Sequence, residues 1–387
     1  MIPFFPPDLF EADGADLLEI VRSVGTDPGQ RFILGERTAA FEDALRERTG
    51  AADVVACSSG TGALSLVLSA TGVGEGDEVV VPALGCAPPA ATVAALGAVP
   101  VFADVDPHRL VVDPDAAEAA VTGRTRALMP AHLFSVMADM PRFADIARRR
   151  GLRLLEDSAL AQGGELAGTP AGLWGEAGVY SFVQVKTFGT AGEGGAVVTR
   201  DPGLGRAVRT LRNHGQDGSQ RFVHHRVGYN SRFDEILAAF QLHRLPGFDE
   251  RLERRARIAE YYTDRFADLV GDGITAPPPG REGRCFYVYT LLAEDREGLA
   301  AHLARAGVGS HVYYPRPLPH QPAFAPYAPA AGRWPAAESA ARRNLSIPLY
   351  PHLSDARVEY IADTVRAFAR PGRHARDGAA VQSRRAT

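Results

Sequence analysis

A mainly parallel α/β sheet covered by helices on both faces, with a smaller C-terminal α+β unit, is the fold class the sequence predicts. Three observations predict it. Short apolar runs alternate with amphipathic segments from residue 53 to residue 156. Those runs are apolar almost throughout, as in parallel strands buried on both faces. The 387 residues exceed what one ordinary core accommodates, so a second unit is expected.

Taken in order, residues 15–24 and 38–48 read as amphipathic helices, the second with Phe41 and Leu45 at helical spacing. Between them, 31–35 is a short apolar loop or strand. Strands are expected at 54–57, 78–81, 99–102, 127–130 and 153–156. Helices are expected at 62–70, 88–96, 116–121 and 141–149. A further apolar run, 179–185, ends at Lys186; a glycine-rich loop and the strand 196–199 follow. Residues 204–212 make a helix, and 233–245 begin a long one that Pro246 interrupts. Residues 251–269 are charged, helical, and lead into the second unit. The turn 277–280 precedes segments 285–292, 299–306, 309–313 and 358–369. The division expected is an N-terminal segment 1–50 packing on both units, a large domain 51–246 and a small domain 247–370. The Arg- and Ala-rich tail 371–387 lacks apolar periodicity and is expected to be disordered.

Composition narrows the function. Hydrophobic content of 45% and charged content of 23% fit a globular enzyme, and a net charge of −4 argues against nucleic acid as the main partner. Cys57, Cys86 and Cys285 offer neither a zinc spacing nor a disulfide framework, which points to a reduced, cytoplasmic setting. No apolar run is long enough to span a bilayer, and Met1 to Pro7, with its prolines and no basic start, does not read as a signal peptide. His132 and the His224-His225 pair have no spacing that suggests metal, and none is expected.

Three pieces carry chemistry. The first is Lys186, flanked by apolar residues and followed by Gly189, Gly192, Gly194 and Gly195. Lost hydration favours the neutral amine, the form that reacts with an aldehyde. A solvated lysine opening a loop is the plain alternative. The second is Asp157, at the end of a strand and so at the sheet edge where ligands bind in open α/β folds. Helix capping is the commoner role for such an Asp. The third is Cys57-Ser58-Ser59-Gly60-Thr61-Gly62 between a strand and a helix. Backbone N–H groups, hydroxyls and the helix dipole could cradle a phosphate there. The same residues also read as a helix capped by Ser59 or Thr61. Together, cradle, carboxylate and lysine match what pyridoxal 5′-phosphate requires.

With these pieces in place, residues 2–369 resemble the DegT/DnrJ-type sugar aminotransferases, pyridoxal phosphate enzymes of the aspartate aminotransferase-like fold. The resemblance rests on Ser58-Ser59-Gly60-Thr61-Gly62, on Glu156-Asp157, on Ser181-Phe182 and Lys186, and on Gly192-Glu193-Gly194-Gly195. It continues through Arg212-Asn213-His214-Gly215, Tyr229-Asn230-Ser231-Arg232, Tyr314-Pro315 and Ile347-Pro348-Leu349. It implies that Lys186 forms the Schiff base and shuttles the proton, that Asp157 pairs with the ring nitrogen, and that Ala159 packs on one ring face. It implies that Gly60, Thr61 and Ser181 hold the phosphate. It also implies that Asn230 reaches the phosphate of a neighbouring subunit, hence a homodimer with shared sites. The activity implied is transfer of an amino group from glutamate or glutamine to a keto sugar, usually nucleotide-linked, or to a keto cyclitol, in secondary-metabolite or polysaccharide biosynthesis.

Three positions depart from the family pattern. Cys86 stands where an aromatic residue covers the outer ring face. Leu160 stands where Gln or His approaches the phenolic oxygen. Pro319 takes the place of a histidine, with His320 displaced by one. Leu160, Tyr314, Arg316 and His320 are the substrate-side candidates. The alternatives are another reaction on the same cofactor, such as dehydration, or a catalytically silent regulatory protein.

Overall fold

The structure, a computed structural model, describes residues 1–6, 10, 12–29 and 31–369. The expected tail, 371–387, lies outside the described residues. Seven strands form the main sheet: β1 (Asp53–Cys57), β2 (Glu78–Pro82), β3 (Val99–Ala103), β4 (Thr125–Leu128), β5 (Arg153–Asp157), β6 (Ala177–Ser181) and β7 (Gly195–Thr199). Their spatial order is β1-β7-β6-β5-β4-β2-β3. Pairings from β3 through β6 are all parallel. Only β7 runs against its neighbours β1 and β6, which makes the sheet mainly parallel as expected. Every residue of β2, β6 and β7 is buried, which accounts for the apolar run at the centre of each.

Helices α1 (Gly14–Gly25), α2 (Glu36–Thr49), α3 (Gly60–Ala70), α4 (Pro88–Ala95), α5 (Pro114–Ala119), α6 (Met140–Arg150) and α7 (Pro202–Arg212) follow the expected order. Pro246 does end a helix: α8 (Glu235–Arg244) stops before it and α9 (Phe248–Phe266) starts anew. Phe41 and Leu45 of α2 pack with Phe182, Phe188 and Phe233 in one apolar cluster.

A second sheet is antiparallel, with β8 (Ile274–Thr275), β9 (Tyr289–Ala293) and β10 (Asn344–Ile347) in that order. Its core combines Tyr262 and Phe266 of α9 with residues of α10 (Arg296–Arg305) and α12 (Asp355–Ala369), and Ile2 joins them. Two elements escape the apolar periodicity. Helix α11 (Pro335–Arg343) is Ala-rich, and β10 follows it without a turn signal. Distant groups hold α11 in place. Trp334 Nε1 donates to the Phe102 carbonyl (2.9 Å), and the Asp104 carboxylate accepts from Ala336 and Ala337 N–H (3.0 and 2.8 Å).

One expectation needs correction. Strand β6 ends at Ser181, so Lys186 is not a strand-end residue. It lies inside the loop joining β6 to β7, because Phe182 N–H bonds to Gly194 O (2.7 Å) and Thr190 N–H to Phe182 O (2.7 Å), which closes the loop at its base.

Candidate active site

Lys186 sits between two tight turns: its N–H donates to Val183 O (2.9 Å), and its carbonyl accepts from Gly189 N–H (3.2 Å). The second turn needs a glycine, since a Cβ at Gly189 would stand 2.3 Å from Gln184 O. Gln162 braces the same loop. Its Nε2 donates to Ser181 O (2.7 Å), and its Oε1 accepts from Thr187 Oγ1 (3.3 Å). That buried glutamine has as partners a serine 19 residues away and a threonine 25 away, a relation no local pattern displays.

One cavity of about 210 Å³ gathers most of the expected residues. Its lining includes Gly60, Thr61, Cys86, Asp157, Ala159, Leu160, Ser181, Lys186 and Tyr314. At one end, α3 begins with Ser59 as N-cap, the side chain accepting from Gly62 N–H (3.0 Å). Capping and cradle are therefore compatible. Ser59 takes the third N–H, while those of Gly60 and Thr61 stay free of helical partners, as the first N–H groups of any helix do. The cradle is tight, since a Cβ on Gly60 would lie 2.8 Å from Ser181 Cβ and one on Gly195 2.5 Å from Ser59 C.

Asp157 closes β5 and is 7% exposed. Its Oδ1 accepts one hydrogen bond, from Ala159 N–H (3.1 Å). Burial pushes the Asp157 carboxyl up from the usual range, against the pull of Ala159, Lys186 and His132. Burial pulls Lys186 down toward the neutral amine, against Cys86, Asp157 and Glu193. Cys86 is an exposed residue, yet the protein around its thiol withholds solvation and, with Asp157, pushes that thiol up. Burial also holds the Tyr314 hydroxyl well above the usual phenol range.

Other candidates lie elsewhere. Arg316 is exposed and does not line the cavity. His320 turns away from it, with Nε2 3.4 Å from Glu338 Oε1 and its ring edge-on to Trp334 at 5.9 Å. The one-residue shift thus sends the imidazole to α11 rather than to the substrate side. Asn230 is exposed, and its Oδ1 accepts from Arg232 Nε (3.0 Å). Neither His132 nor Glu193 is a site candidate from sequence, yet both are in the lining. Lys186 is also the only lysine in the chain, every other Lys or Arg being arginine.

The residues fit pyridoxal phosphate. A buried acid with one hydrogen bond suits a protonated ring nitrogen, an amine short of solvent suits an aldehyde, and a cradle too close for a Cβ suits a phosphate. Sheet order and site together define an enzyme of the aspartate aminotransferase-like fold. The chain belongs to the DegT/DnrJ/EryC1/StrS aminotransferase family, whose pattern matches residues 15–366.

Relatives show the range within that family. A pleiotropic regulatory protein of Geobacillus stearothermophilus is 38% identical, covering 91% of this chain and 93% of that protein. UDP-N-acetyl-3-dehydro-alpha-D-glucosamine 3-aminotransferase of Acidithiobacillus ferrooxidans is 39% identical, covering 87% and 89%. A dTDP-3-amino-3,4,6-trideoxy-alpha-D-glucose transaminase of Streptomyces venezuelae is 38% identical, covering 88% and 89%. Among solved structures, a DegT DnrJ EryC1 StrS aminotransferase from Brucella abortus matches with a TM-score of 0.89 at 35% identity, over 95% of this chain and 100% of that one. NtdA of Bacillus subtilis, solved with bound cofactor PMP, matches with 0.88 at 27% identity, over 95% and 85%.

Proposed function

We propose that this aminotransferase moves an amino group from an amino-acid donor, glutamate or glutamine, to a keto sugar, nucleotide-linked, or to a keto cyclitol. The observation that carries the reading is that Lys186, Asp157, Gly60, Thr61 and Ser181 line one cavity. Pyridoxal phosphate, when bound, supplies an aldehyde that condenses with amines and a protonated ring that takes up the electron pair left at carbon.

This chain's residues do the rest. Gly60 and Thr61, at the start of α3, and Ser181 hold the phosphate where the helix dipole favours negative charge. Asp157, at the end of β5, keeps the proton on the ring nitrogen. Lys186 Nζ, whose charged form burial disfavours, would hold the aldehyde and could move a proton to and from the carbon beside it. Ala159 and Cys86, both in the lining, would flank the ring. Leu160 donates no hydrogen bond and leaves an apolar wall. Tyr314 stays neutral and can donate its hydroxyl proton to a substrate oxygen.

Asn230 supports a homodimer in this reading: exposed on one subunit, it would reach the phosphate of a partner copy. The three cysteines are free, and no helix among the described residues is long and apolar enough to cross a membrane; both accord with work in the cytoplasm.

The test is addition of candidate donors to the purified, cofactor-loaded protein while cofactor absorbance and the aminated sugar or cyclitol are followed. A spectral change with glutamate or glutamine, and an amine appearing on the ketone, is the expected result. The relative named as a regulatory protein favours a second reading, a protein that binds the cofactor without turnover. An unchanged spectrum with every donor would select it. Consumption of the ketone without a donor would point to dehydration.

A further inference from the structure

We propose that Tyr287 is a positioning residue for Lys186, its ring face receiving the ε-ammonium and holding it in the cavity. Lys186 Nζ stands 4.9 Å from the centroid of the Tyr287 ring, within the ~6 Å over which a ring quadrupole attracts a cation. The inference rests on the reading that Lys186 serves the cofactor.

The ring is held from several directions. Tyr287 is 6% exposed, and its carbonyl accepts from an Arg255 guanidinium N–H (3.2 Å). Its neighbour Val288 is clamped both ways by Ser135, whose Oγ donates to Val288 O (2.5 Å) and accepts from Val288 N–H (2.8 Å). The Tyr287 hydroxyl faces that of Tyr313. Tyr313 in turn packs edge-on against His311 at 4.4 Å and near Phe4 at 6.1 Å. Burial and a fixed backbone leave the ring face turned to Lys186.

Charge explains why a neutral face is useful. Lys186 faces Cys86, Asp157 and Glu193, while Tyr287 faces Tyr313, Arg255 and Cys86. Asp157 is committed to the ring nitrogen of the cofactor, so its charge is largely cancelled for the lysine once that pair forms. Glu193 is exposed, where water screens it. The Tyr287 ring remains, and it attracts an ammonium without competing for the cofactor's proton.

The test uses the full chain before cofactor is added and needs no substrate. Because Lys186 is the only lysine, acylation by a labelled amine reagent between pH 6 and 10, read by mass spectrometry, titrates that side chain alone. The chain's α-amine serves as internal reference. Loss of a desolvated ring contact shifts proton binding by about tenfold. Tyr287→Leu should therefore raise Lys186 reactivity near neutral pH about tenfold and move its titration to lower pH. Tyr287→Phe keeps the ring face and should stay within about twofold of the unaltered chain. Tyr287→Met retains bulk without a ring and should behave like Tyr287→Leu, which covers the case in which the leucine variant does not fold. Titrations for the leucine and methionine variants that overlay the unaltered chain would overturn the proposal. A phenylalanine variant matching them would also overturn it, by assigning the effect to the hydroxyl. Failure of amine transfer in the functional assay would leave these titrations readable by themselves.

Discussion

His132 Nε2 lies 3.1 Å from Glu156 Oε2, and both side chains are fully buried. His132 Nδ1 accepts from Ala138 N–H (3.1 Å), so Nε2 carries the proton and donates it to the carboxylate. The same carboxylate accepts from the N–H groups of Gly172, Trp174 and Gly175 (2.9, 2.6 and 3.0 Å). Side chains alternate along a strand, so anchoring Glu156 on one face of β5 commits Asp157 to the other.

That arrangement makes Glu156→Gln costly. An amide has one acceptor oxygen where the carboxylate has two, and its NH₂ would face backbone donors. Hydrogen bonds to a buried charge are worth about 1.5–3 kcal/mol each, so a loss of ~2–4 kcal/mol is expected in denaturant unfolding. Cofactor retention should fall with it, because Asp157 sits on the next residue. Stability within ~0.5 kcal/mol of the unaltered chain would show that the carboxylate does not hold the strand end.

Asp157→Asn should separate stability from function. Burial raises the folded-state value of this carboxyl above its usual 3.8. The folded form thus holds the proton more tightly than the unfolded form, and stability falls as pH rises through the window above 3.8. Above the raised folded-state value the full cost is present, and removing the charge should stabilise the cofactor-free protein there by about 1–3 kcal/mol, the scale of an under-partnered buried group. Amine transfer should drop by about a hundredfold or more. Unfolding curves across pH, compared with turnover, test both parts.

Lys186→Met carries the opposite sign. Burial lowers the folded-state value of the amine below 10.5, so the unfolded chain binds the proton more tightly, and cofactor-free stability climbs as pH rises toward 10.5. The methionine variant should lose that climb. It should also lose the absorbance of covalently held cofactor, since no other lysine exists to replace it. A retained band would remove Lys186 from its assigned role.

Cys86→Tyr should tighten the hold on the cofactor. An aromatic ring at this place in the lining would add a stacking contact of about 0.5–1.5 kcal/mol, or roughly two- to tenfold in the dissociation constant. Equilibrium dialysis reads it directly. Weaker retention would indicate that the thiol's smaller volume is required in the cavity.

The site was legible in sequence to the degree that its parts are local. Ser59 caps α3 by accepting from an N–H only three residues away, and Asp157 ends a strand whose apolar pattern is visible. Lys186 was recognised from its glycine-rich surroundings, although its place in a closed loop depends on Phe182 meeting Gly194 and Thr190. The places of Gln162, His132 and Tyr287 were not legible, because each acts through partners that only chain folding brings near. His320 shows the converse, a residue chosen by position and then drawn to Glu338.

Strand and helix order, the buried character of β2, β6 and β7, and the chemistry of cradle, acid and amine were all written in local composition and spacing. Short-range sterics and hydrophobic periodicity act within a few residues, so a linear reading reaches them. Long-range capping was not accessible that way. Helix α2 has no side-chain cap of its own; the Glu235 carboxylate accepts from Gly35, Arg37 and Thr38 N–H (2.8, 2.9 and 2.9 Å), just as Asp104 serves α11. Free helix N–H groups donate to whichever carboxylate the packed chain brings within about 3 Å. Which one arrives is decided by packing between elements about 200 residues apart in the chain.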